Sequence, residues 1–73
     1  MTTTDSILII DDELQIRRLL EITLSANGYS VIHSATGKSG LIDAATHHPS
    51  LIILDLGLPD MDGQEILKQL REW

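Results

Sequence analysis

The run Leu51-Ile52-Ile53-Leu54 is apolar throughout and ends at Asp55, with Leu56-Gly57-Leu58-Pro59-Asp60-Met61-Asp62-Gly63 directly behind it. An uninterrupted apolar run bounded by turn residues predicts a strand buried on both faces, as in a parallel sheet covered by helices. A second run, Ser6 to Ile10, has the same character and stops as abruptly at Asp11-Asp12-Glu13. In open α/β sheets ligands bind outside the carboxyl ends of the strands, which is where these carboxylates fall.

The segments between the runs carry helical signals. From Glu13 to Asn27, apolar residues recur at Ile16, Leu19, Leu20 and Leu24, with Leu14 and Ile22 beside them, giving a broad stripe at helical spacing. Asp12 is the expected N-cap, with Gln15 completing a capping box, and Gly28 the expected left-handed residue after the helix. Tyr29 to Ser34 is mixed and β-branched, which suits a less buried edge strand. Ala35 to Lys38 then forms a turn. A weaker helix is expected from Ser39 to His48, with Leu41, Ala44 and Ala45 inward and Pro49 stopping it. The third strand runs from Leu51 to Asp55. After the loop, Asp62 caps a last helix whose inward positions are Ile66, Leu67, Leu70 and Trp73. Strands alternating with helices over short connections imply right-handed crossovers and an α/β doubly wound parallel sheet.

Composition narrows the partners. The chain has 73 residues, 42% hydrophobic and 22% charged, as a single small globular domain requires and a disordered chain lacks. It has no Cys, so disulfides and thiolate metal sites are excluded, and no Phe, so Ile, Leu, Val and Ala must build the core. A net charge of -6 disfavours direct contact with nucleic-acid phosphates. The apolar runs fall far short of a membrane span, and Met1-Thr2-Thr3-Thr4-Asp5 lacks a signal-peptide pattern; a cytoplasmic location is expected.

If the first and third strands are parallel neighbours, Asp11, Asp12 and Asp55 converge at one sheet edge. Three carboxylates that close repel, and a hard divalent cation resolves the conflict; Mg²⁺ suits a site of oxygen donors that also handles phosphate. Such a site allows a carboxylate to attack phosphorus and form an acyl phosphate. Capping is the blander explanation for Asp12 and Asp62, and turn formation for Asp60. It does not explain two consecutive carboxylates, nor Asp55, which precedes its helix by too many residues to cap it. His33, His47 and His48 fit surface or structural roles, and Arg17-Arg18 is a solvated pair too short for a nucleic-acid patch.

The acidic run Ile9-Ile10-Asp11-Asp12-Glu13, with Asp55, Pro59 and Gly63 in an Asp-x-x-x-Pro-x-x-x-Gly pattern, resembles the receiver domain of two-component response regulators. The resemblance extends over the whole chain and implies a flavodoxin-like fold, here β1-α1-β2-α2-β3-α3 with strand order 2-1-3. It implies Asp55 as phosphoacceptor, Asp12 as a direct Mg²⁺ ligand, Asp11 acting mainly through a metal-bound water, and the Gly57 backbone carbonyl as a further ligand. Pro59 and Gly63 would shape the loop. The implied partner is a sensor histidine kinase, and the implied class is a signalling phosphoacceptor rather than an enzyme.

Family receivers continue through two more strands and helices, which supply a Thr or Ser and a Lys to the site; residues 1–73 match the first part only, without them or a DNA-binding domain. Slow or absent phosphorylation is therefore expected, with weak Mg²⁺ binding retained. An order of 2-1-3 also leaves the third strand as an apolar edge, so a homodimer through that edge, or by swapping, is expected. Two other functions fit less well. One is a non-catalytic module that docks a kinase or partner. The other is an aspartate-nucleophile phosphatase, which usually carries a second Asp two residues after the nucleophile, where this chain has Gly57.

Overall fold

The computed structural model describes residues 5–72. Its elements are β1 (Ser6–Ile10), α1 (Leu14–Ala26), β2 (Ser30–Ser34), α2 (Gly37–His47), β3 (Leu51–Leu54) and α3 (Gly63–Arg71). The three strands form one parallel sheet in the order β2-β1-β3. Because the first crossover steps one way along the sheet and the second steps back past β1, right-handed connections put α1 on one face and α2 on the other.

β1 is the centre of the core. Ile7, Leu8, Ile9 and Ile10 are all buried, the last three completely. Side chains alternate across a strand. Leu8 and Ile10 accordingly join Leu41 and Ala44 of α2, Leu58, and Ile66 of α3 in one cluster, while Ile7 and Ile9 face the other side. Full burial of a side chain of this size contributes roughly 1.5–3 kcal/mol, so β1 and Ile66 dominate the apolar stabilisation. Gly40 lets α2 approach the sheet closely: a Cβ there would lie 2.5 Å from the Ile10 side chain.

Several local expectations need correction. β3 is half-buried rather than covered on both faces, and Leu51 is 55% exposed, because among the described residues β3 pairs on one side only. The stripe of α1 contains no fully buried residue, and Leu19 and Ile22 are exposed at 62% and 70%. Asp12 does not cap α1. Glu13 is the N-cap residue, without a side-chain cap, and the carboxylate that turns the chain is that of Asp11, whose Oδ1 accepts from the Glu13 N–H at 2.8 Å.

α2 starts earlier than expected, at Gly37, because Thr36 serves as N-cap and accepts from Ser39 N–H. Ala45 is exposed, so the inward face of α2 is Leu41 and Ala44. His48, not a helical residue, ends α2 in the left-handed region at φ 48°. Asp62 does cap α3, accepting from Gln64 N–H at 3.0 Å, and Ile66 is buried with Leu67 and Leu70 half-buried. The inward position proposed for Trp73 lies outside the described residues.

Candidate functional site

The parallel register places the site. Ile10 pairs with Ser34 on one side and Leu54 on the other, so Asp11 and Asp55 leave adjacent strands at the same level. Two backbone bonds extend the ladder into the site: Asp11 N–H donates to Ser34 O at 3.0 Å, and Asp55 N–H donates to Ile10 O at 2.9 Å. The two carboxylates therefore stand on the rigid end of the sheet rather than on a free loop.

Asp11, Asp12 and Asp55 each offer an oxygen, and these oxygens all lie within 4.8 Å of one another. Asp11 and Asp55 are half-buried and Asp12 is exposed. Mg²⁺ holds oxygen ligands at about 2.0–2.1 Å, so opposite ligands stand roughly 4 Å apart. The spread observed is slightly wider than that and consists of hard oxygen donors, which fits a cation held by two carboxylates directly and a third through water. Gly57 sits beside them, its N–H donating to Asp55 Oδ1 at 2.8 Å in a tight turn.

Arg17 belongs to this neighbourhood, against the expectation of a solvated pair. Its Nη1 donates to the Asp11 backbone carbonyl at 2.6 Å and its side chain is half-buried, whereas Arg18 is exposed. A guanidinium so close to the acidic cluster offsets part of its repulsion. Beneath the site the Ser34 hydroxyl, in a buried residue, donates to the Asp43 carboxylate of α2.

Asp60 is more than a turn residue. Its Oδ1 accepts from Gly37 N–H at 2.8 Å and its Oδ2 from Lys38 N–H at 3.1 Å. These bonds, that to Gly37 first, hold its carboxyl below the ordinary value of 3.8. No local signal marks this contact, since donor and acceptor lie 22 and 23 residues apart. Gly63 has a packing reason as well: a Cβ there would meet Leu56 at 2.7 Å. His33 pairs with Glu21 at 3.1 Å across α1 and β2, away from the acidic group, and Lys38 and Lys68 lie on α2 and α3.

A doubly wound parallel sheet with an acidic cluster at its carboxyl edge defines a flavodoxin-like α/β module with a cation-compatible site. The family described as response regulator receiver domain matches residues 7–73, and the chain belongs to that family. The transcriptional regulatory protein KdpE of Mycobacterium tuberculosis is 54% identical over 67 residues, which are 92% of this chain and 30% of that protein. The KDP operon transcriptional regulatory protein KdpE of Escherichia coli is 50% identical over 68 residues, 93% of this chain and 30% of that one. A CheY-like receiver domain from Methanospirillum hungatei superposes with a TM-score of 0.93 at 33% identity, over 96% of this chain and 56% of that one. The response regulator TrrA from Thermotoga maritima, solved in complex with Mg(2+)-BeF, gives 0.89 at 32% identity, over 94% and 60%. The chain thus spans about 30% of the length of these curated relatives and little more than half of the matched structures.

Proposed function

We propose that this receiver module accepts a phosphoryl group on Asp55 from a sensor histidine kinase, in the manner of a two-component signalling regulator of the Kdp type. The observation that carries the reading is the meeting of Asp11, Asp12 and Asp55 oxygens within 4.8 Å at the carboxyl end of the sheet. A lone carboxylate could be a cap; three from two strand ends, on a receiver fold, support phosphoryl transfer. An Asp55 oxygen attacks phosphorus, the bond from phosphorus to the donor's imidazole nitrogen breaks, and an acyl phosphate forms.

Asp12 would hold Mg²⁺ directly, Asp11 mainly through water, and Asp55 and the Gly57 carbonyl would complete the protein ligands. When bound, the cation would offset negative charge on the phosphoryl oxygens. The hydrogen bond from Gly57 N–H to Asp55 Oδ1 orients the acceptor carboxylate and leaves its other oxygen free of that bond. The side of β3 that is unpaired among the described residues supports a second part of the reading: two copies associate through that edge. Its four residues are all apolar and carry none of the charges that usually protect an edge.

Incubation with acetyl phosphate and Mg²⁺, followed by intact mass measurement, tests the phosphoacceptor role. A slow, Mg²⁺-dependent gain of one phosphoryl group is expected, and Asp55→Asn abolishes it. A gain that persists in Asp55→Asn, or none in the native chain on prolonged incubation, overturns the assignment.

A further inference from the structure

The loop between β3 and α3 begins at the acidic site and ends against α2. The first amides of α2 have no acceptor within their own helix and need one from outside. Thr36 Oγ1 takes that of Ser39 at 3.1 Å. The other two, Gly37 and Lys38, donate to separate oxygens of one Asp60 carboxylate. A helix is ordinarily capped by the residue just before it. Here two of these three amides are capped from a different loop, the one that starts at Asp55.

The rest of that loop leaves it little freedom. Leu58 is buried, Met61 packs against the core, and Asp62 caps α3. Gly37 and Met61 are so close that a Cβ on Gly37 would lie 3.1 Å from that of Met61. Asp60 itself is exposed, so core packing does not account for its placement. Two charge-assisted bonds to adjacent amides fix the direction of a carboxylate as well as its distance, and the positive end of the helix dipole adds to the attraction.

We propose that Asp60 is a positioning residue for the acidic site: by binding the first two amides of α2 it fixes the loop that presents Asp55 and Gly57. This deepens the phosphoacceptor reading and rests on it for its functional meaning. Released from α2, the loop would lose its orientation between Leu58 and Asp62, and the turn joining Gly57 N–H to Asp55 would open more often.

Amide hydrogen exchange on the full chain tests this, in the native sequence, Asp60→Ala and Asp60→Asn, with β1 amides as the internal reference and Mg²⁺ alone as the ligand in a parallel titration. Asp60→Ala should speed exchange about tenfold at Gly37 and Lys38, and also at Gly57, relative to β1. It should weaken Mg²⁺ binding several-fold. Asp60→Asn, which keeps one acceptor oxygen, should restore most of the protection at Gly37 and Gly57. Faster exchange at Gly37 and Lys38 with Gly57 unchanged relative to β1 would make Asp60 a helix cap only and overturn the proposal. If the native chain binds no Mg²⁺, the phosphoacceptor reading fails separately, while exchange at Gly57 still decides the role of Asp60.

Discussion

At Gly63 the site loop packs closely against its own start. A Cβ there would stand 2.7 Å from Leu56 Cδ2 and 2.8 Å from Leu56 Cα. The second atom is backbone and cannot turn aside, so Gly63→Ala must displace the residue after Asp55. We expect it to cost about 1–3 kcal/mol by urea denaturation, in the range of other overpacked sites. Gly28 makes the contrast, with open space around it but φ +89°; Gly28→Ala should cost about 1 kcal/mol through conformation alone. Asp60 supplies the residue-scale pH prediction. Its folded carboxyl titrates below the ordinary value of 3.8. A depressed folded value gives stability that is complete above the unfolded value and is lost as pH falls through the folded one. The Gly37 and Lys38 amide resonances should therefore shift together on acidification below about pH 4, and Asp60→Ala should remove that transition.

Among the elements, α3 and α1 separate pattern from packing. Both carry apolar residues at helical spacing, yet Ile66 of α3 is fully buried and Ile22 of α1 is 70% exposed. Ile66→Ala should cost about 2–5 kcal/mol, and Ile22→Ala should stay within roughly 0.5 kcal/mol. The mean of thermal and urea measurements on the pair checks the contrast. Periodicity located both helices, apolar runs located β1 and β3, and β-branched residues located β2, because those signals are local. The convergence of Asp11, Asp12 and Asp55 was legible too, since it needs only a parallel pairing of β1 and β3. Burial was less legible: β3 has the composition of a covered strand but pairs on one side among the described residues. The contacts of Asp60 with α2 lie beyond any local pattern, for they depend on how the chain returns to itself, whereas that of Arg17 with the Asp11 carbonyl spans six residues and turns on the direction of one side chain.

For the whole molecule, the proposed association rests on the side of β3 that is unpaired among the described residues. Light scattering across micromolar dilution should give the mass of a dimer, and Leu51→Lys, placing a charge on that edge, should shift it toward monomer. A monomer at every concentration in the native chain would remove the dimer reading. Net charge works against association, with 11 acidic residues to 5 basic, so raised salt should favour the dimer if the edge holds it.

The hub position of β1 also has a bearing on the order of events during synthesis. β2 and β3 each pair with β1 and not with each other. β1 therefore emerges from the ribosome with no partner until Ser30 has followed, and its second side waits for Leu51. At about 5–20 residues per second that is an interval of seconds. Over that time the most deeply buried of the described strands is left open to a chaperone.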